Sequence, residues 1–184
     1  MNIELNQINM NRVRYFCLAG EFNSELLERF FDLLNSSDSN DIIEISLSSC
    51  GGDISPLFTI LYLINSDPAR FRLVVSGLCD SAALNLVLLS DCEKIFLPSF
   101  IGGVVHSVAI TVNSRELDNI EGEISLRHRA FNKLNKSLYK YFISLDIQED
   151  KITRASKGDD VFLSRQEIIN AVKFKTKNSI IFDY

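Results

Sequence analysis

Val74-Val75-Ser76-Gly77-Leu78-Cys79-Asp80-Ser81-Ala82-Ala83-Leu84-Asn85-Leu86-Val87-Leu88-Leu89 is the stretch that decides the fold. An apolar strand runs into a Gly-containing turn, and an apolar helix follows with one hydroxyl, Ser81, at the junction. A Ser on a tight strand-to-helix turn displays its side chain at the element boundary. The backbone N–H groups of the first helical turn have no intrahelical partner there. Such free donors can hold a developing negative charge. Ser is also a leading N-cap residue. Cap and nucleophile are therefore both open readings of Ser81.

The composition bounds what surrounds this stretch. With 184 residues, 46% apolar side chains, three prolines and eight glycines, the chain suits one α/β domain with a sizeable core. The expected organisation is a polar arm over residues 1–11 and a single domain over 12–184. A net charge of −5 without any Lys/Arg run gives no electrostatic footprint for nucleic acid or an anionic membrane. No apolar run reaches membrane-spanning length, and Met1-Asn2-Ile3-Glu4-Leu5-Asn6 lacks the regions of a signal peptide, so a cytoplasmic location is expected. Cys17, Cys50, Cys79 and Cys92 show no C-x-x-C spacing. They read as small buried thiols, with no metal or other cofactor implied.

From the N-terminus onward, strands alternate with helices. Arg12 to Gly20 is β-rich, and Asn23-Ser24 supplies cap residues before the helical pattern of Glu25 to Leu34. Ile42 to Leu47 alternates as a strand and ends in a turn, Ser48-Ser49-Cys50-Gly51-Gly52, whose glycines let backbone N–H groups face a ligand closely. Ile54 to Asn65 reads as a helix with Pro56 in its first turn, Phe71 to Ser76 as a strand, and Lys94 to Pro98 as another. Ile101-Gly102-Gly103-Val104-Val105-His106 then delivers one of two histidines. This alternation predicts a mostly parallel sheet with right-handed crossovers, whose sites gather at the carboxyl ends of the strands. Gly51, Gly52, Ser81 and His106 all follow predicted strands and could meet there. An apolar stripe at Ile124, Phe131, Leu134, Leu138, Tyr141 and Leu145 marks a long helix over 119–145, with His128 off the stripe.

The order strand-Ser-x-Gly-Gly, helix, strand-Gly-x-x-x-Ser-Ala-Ala, strand-Leu-Pro-Ser, then His resembles the ClpP family of self-compartmentalised serine peptidases, which has the ClpP/crotonase fold. Gly52 precedes Ser81 by 29 residues, and His106 follows Ser81 by 25. The similarity runs from Arg12, through Arg14-Tyr15-Phe16-Cys17-Leu18-Ala19-Gly20, to Val161-Phe162-Leu163-Ser164 and the helix after it. The resemblance implies Ser81 as nucleophile, His106 as general base, and the N–H groups of Gly52 and Ala82 as the oxyanion hole, with Gly51 supporting the loop. It further implies a long handle helix, a homo-oligomeric ring, single or double, and a peptide or unfolded-protein substrate.

Several positions depart from the family. Its third triad residue, an Asp 49 residues beyond the His, is Ala155 here. A one-residue gap would bring Asp159 or Asp160 into that role, and without it a Ser81–His106 dyad is expected, which Ala155→Asp should speed. Asp80 stands where the family has a small apolar residue, Cys50 replaces its Pro, and Ser107-Val108 replaces its Gln-Pro. Glu44 and Ser46 occupy the aromatic positions of its unfoldase-docking pocket, so docking of the usual ATPase is not expected. Two alternatives stand beside the peptidase: an inactive ring subunit, and a crotonase-type acyl-CoA enzyme sharing the fold and an oxyanion hole.

Overall fold

The computed structural model describes residues 12–109, 123–175 and 180–183. Its five-stranded sheet has the order β1-β2-β3-β4-β7, built from β1 (Val13–Phe22), β2 (Ile42–Gly52), β3 (Phe71–Cys79), β4 (Lys94–Leu97) and β7 (Ile180–Asp183). Every pairing in it is parallel. Parallel neighbours need crossover connections. Helices α1 (Ser24–Asn35), α2 (Ile54–Ser66) and α3 (Ala82–Leu89) supply them from β1 to β4, giving repeated strand-helix units. The predicted cap of α1 forms, with Asn23 Oδ1 accepting from the Leu26 N–H at 2.8 Å.

Strand alternation places the core. Ile43, Ile45 and Leu47 of β2 are fully buried with Leu73 and Val75 of β3, against α3, whose side chains from Ala82 to Leu88 are all buried. Alternate residues face the other way: Glu44 of β2 is half-buried, and Tyr15, its partner on β1, is exposed. The same alternation corrects the expectation for the thiols. Cys79 and Cys92 are buried, but Cys17 and Cys50 are exposed, because each lies next to inward-facing neighbours on a strand of period two. All four are free.

A second, antiparallel pair projects from the parallel sheet: β5 (Gly102–Val105) with β6 (Val161–Ser164), in a register that sets Val105 opposite Val161. Between them lie α4 (Glu123–Ser144) and α5 (Glu149–Ser156), and α6 (Arg165–Lys175) follows β6. Residues 119–122 of the predicted long helix lie outside the described residues, as does the polar arm at 1–11. On α4, Leu138 is buried with Leu145 just beyond, Leu134 and Tyr141 are packed half-buried on the core, and His128 is exposed. Ser164 and Glu167 form a capping box at the start of α6: the Ser164 N–H donates to Glu167 Oε2 at 2.9 Å and the Glu167 N–H to Ser164 Oγ at 3.4 Å. Lys151 of α5 adds an ion pair to Glu167 at 2.6 Å, tying α5 to β6 and α6. No described helix is long and apolar enough to cross a membrane.

Candidate active site

β3 ends at Cys79 and α3 begins at Ala82, so Asp80 and Ser81 make the whole connection. Ser81 has φ 53° and ψ −116°, outside the regions an L-residue ordinarily occupies. Such a conformation costs on the order of 1–3 kcal/mol and persists only where the surroundings over-determine it. Here the Ser81 N–H donates to the Val104 carbonyl at 2.8 Å, and the Ser81 carbonyl accepts from the Asn85 N–H at 2.9 Å. Ser81 stands at the N-cap position, yet its hydroxyl makes no capping bond. The cap reading therefore loses the interaction that defined it.

The predicted glycine turn is instead the end of β2. Register shifts at Ala19/Glu21 of β1 and Leu47/Ser49 of β2 act as bulges that carry the pairing through to Gly51 and Gly52. Gly51 (φ 112°) and Gly52 (φ 136°) lie in backbone space that favours glycine, and both are crowded. A Cβ on Gly51 would sit 2.7 Å from Ser81 Cβ and 3.2 Å from the Ala82 nitrogen, and one on Gly52 2.5 Å from the Phe22 nitrogen. The end of β2 thus presses directly on the Ser81 turn. Ser49 holds it there: its buried Oγ accepts from the Gly51 N–H at 3.0 Å, and its carbonyl accepts from the Asp80 N–H at 3.1 Å.

Asp80 completes a clamp on β5. Its Oδ1 accepts from the Val104 N–H at 2.8 Å while the neighbouring Ser81 N–H donates to the Val104 carbonyl. Both backbone groups of Val104 are thereby fixed to the strand-helix turn, two residues before His106. The Cys79 thiol beside this turn is pushed up to about 12 by burial and then by the Asp80 charge, so it stays protonated. It is no competing nucleophile.

His106 is half-buried, with Nδ1 2.8 Å from the Ser107 carbonyl oxygen. A carbonyl only accepts, so this contact places the proton on Nδ1 and leaves the Nε2 lone pair free. Ser81, His106, Gly52, Ala82, Asn85 and Phe131 share one cleft of about 530 Å³. Among the described residues no hydrogen bond joins Ser81 to His106.

The carboxylates expected from the gap are placed differently from each other. Asp159 Oδ2 accepts from Arg154 Nε at 3.1 Å on the surface. Asp160 directly precedes the Val105–Val161 pair, so extending the antiparallel register by one residue sets it across from His106. Neither lines the cleft. Ala155 is fully buried in α5, its carbonyl accepting from the Tyr139 hydroxyl at 3.4 Å. The two residues that sequence reasoning left without a role, Ser49 and Asp80, act through backbone partners: Ser49 on Gly51 and Asp80, and Asp80 on Val104 of β5. Only the tertiary pairing reveals them.

A parallel sheet of strand-helix units, with an antiparallel arm and a long helix beside it, defines a ClpP-like α/β protein. The Clp protease family model matches residues 5–171, and the chain belongs to that family. Among solved structures it is similar to a mutant of ClpP1 from Listeria monocytogenes, at 22% identity, with a TM-score of 0.63, covering 93% of this chain and 92% of that one. No match is found among curated protein sequences. Family and fold are those of a ClpP-like peptidase.

Proposed function

We infer that the chain is a serine-type endopeptidase working inside a homo-oligomeric ring, with Ser81 and His106 as its reacting pair. The observation that supports this best is Ser81 itself: a strained residue whose hydroxyl is not used as a cap, in one cleft with the only histidine near it. As Ser81 Oγ attacks the substrate carbonyl carbon, its proton passes to His106 Nε2. The carbonyl oxygen, now negative, is met by the N–H groups of Gly52 and Ala82. Collapse breaks the C–N bond, and His106 returns the proton to the leaving amine. Water, activated by His106, then hydrolyses the acyl-enzyme.

His106 must turn toward Ser81 for this, a tightening that such pairs often show only with substrate bound. The Ser107 carbonyl fixes the tautomer, but a neutral acceptor stabilises the imidazolium less than a carboxylate does. Removing that charge from a triad lowers turnover by about ten-thousandfold, so a slow enzyme is expected unless Asp160 swings in. Exposed Phe58, Tyr62, Leu126 and Ile143 leave apolar surface for self-assembly. Docking of the usual unfoldase is not part of this reading, since Glu44 is half-buried where an aromatic would be needed and Ser46 is bonded to Ser76 at 2.9 Å.

Fluorophosphonate labelling tests the centre. The wild-type chain should label at one site, and Ser81→Ala should not label while keeping its fold and assembly. A wild-type chain that never labels leaves the inactive ring subunit, the reading favoured by the missing charge beside His106. A monomer in micromolar sedimentation refutes the ring.

A further inference from the structure

Asn85 is the polar side chain of the cleft that the fold leaves unsatisfied. It lies one helical turn beyond Ser81, so the two share a face of α3, and both line the cleft. Every other side chain from Ala82 to Leu88 is apolar and buried. Asn85 is buried with them at 8% exposure, and its Oδ1 has no hydrogen-bond partner among the described residues. A buried amide oxygen without a donor keeps the full cost of leaving water. Asn is in addition a poor helix former. The helix would be more stable with Leu at this position, so packing does not account for Asn85. A donor brought by a ligand would satisfy that oxygen.

The surroundings narrow the ligand. Leu57, Ile54 and Phe131 make the cleft wall beside Asn85 apolar, and the described lining contains no Lys or Arg. A carboxylate would bring no donor and would meet the charge of Asp53, which also lines the cleft. A cation would lose its hydration against apolar groups. A neutral primary amide carries both donor and acceptor, and so satisfies an Asn amide reciprocally. As it stands Oδ1 is sealed from the cleft, and rotation about χ2, a soft torsion, is the movement that brings it to the ligand.

We propose that Asn85 is a specificity-determining residue that reads a primary-amide side chain, glutamine or asparagine, on the peptide bound beside Ser81. This rests on the peptidase reading, but its test needs no turnover. Two fluorescein-labelled tetrapeptides, identical except for a C-terminal Gln or Met, are titrated against the Ser81→Ala protein by fluorescence anisotropy. Gln should bind at least about tenfold tighter, because a site built to hydrogen-bond discriminates more sharply than an apolar pocket. Asn85→Leu on that background should reverse the preference without lowering the melting temperature. Asn85→Ala, which only empties space, should abolish it. Equal affinities, a Met preference, no binding of either peptide, or a Gln preference surviving both Asn85 variants overturns the proposal. Failure of the labelling experiment would instead strike the Ser81 chemistry and leave this result readable.

Discussion

Asp80→Ala removes the acceptor that holds the Val104 N–H at 2.8 Å. The bond is charge-assisted and part-buried, and losing such a bond typically costs about 1.5–3 kcal/mol. For a chain of this size each kcal/mol moves the melting temperature by about 2–4 °C, so a fall of roughly 3–12 °C is expected in differential scanning calorimetry. The consequence for chemistry is separate. Val104 is two residues from His106, and a misplacement of about 1 Å at a reacting group can cost about a hundredfold, so fluorophosphonate labelling of Ser81 should slow by a comparable factor. Asp80→Asn keeps a side-chain oxygen at the same place and should recover most of the stability and most of the labelling rate. An unchanged melting temperature in Asp80→Ala refutes the clamp. A lowered melting temperature with wild-type labelling confines Asp80 to stability and refutes its positioning of His106.

Asp160→Asn should slow Ser81 labelling more than tenfold if that carboxylate reaches His106, because an amide cannot stabilise the imidazolium as a charge does; an unchanged rate leaves the Ser107 carbonyl as the orienting group. Asp159→Asn should leave labelling unaltered, since its partner is Arg154, and should change stability by no more than about 1 kcal/mol as an exposed pair. Burial raises the Glu167 carboxyl, but the bonds from Lys151 and Ser164 outweigh it and hold the group below its ordinary value. Its stabilising share is therefore full above the ordinary carboxylate range and lost as pH falls through the lowered value. Melting temperatures across that acid range should fall less steeply in Glu167→Gln, and identical slopes would contradict the assignment.

Much of the fold was legible because its signals are local. Alternating apolar runs gave β1 to β4, the Asn23 cap gave the start of α1, and Ser81 and His106 fell at carboxyl ends of strands, where β3 and β5 indeed bring them to one cleft. What was missed depends on pairing across the sheet. Ser48 to Gly52 reads as a turn by composition, but β1 and β3 hold it extended through bulges, and that extension presses Gly51 onto Ser81. β7 is a four-residue run whose partner, β4, lies more than eighty positions earlier in the chain, and no local periodicity announces it. The exposure of Cys17 could have been read, since Phe16 and Leu18 on either side demand the inward face. Asp80 could not, because its partner is a backbone N–H on another strand.

The clamp also bears on the missing third residue. Because Asp80 and Ser81 both grip Val104, the Ser81 turn is tied directly to the strand that leads into His106, whatever α5 contributes. Ala155 fills the core in α5 at 0% exposure and does not line the cleft. The sequence suggested that Ala155→Asp would restore a triad and speed labelling, but burial argues the reverse. An unpaired carboxylate placed there would lose its hydration at a cost of several kcal/mol, or take up a proton to avoid it. Protonated, it could not stabilise a charged imidazole. Ala155→Asp should therefore lower the melting temperature by more than Asp80→Ala does and leave labelling no faster than in the wild type. Faster labelling by a stably folded Ala155→Asp protein would show that α5 still reaches His106, and would refute this argument from burial.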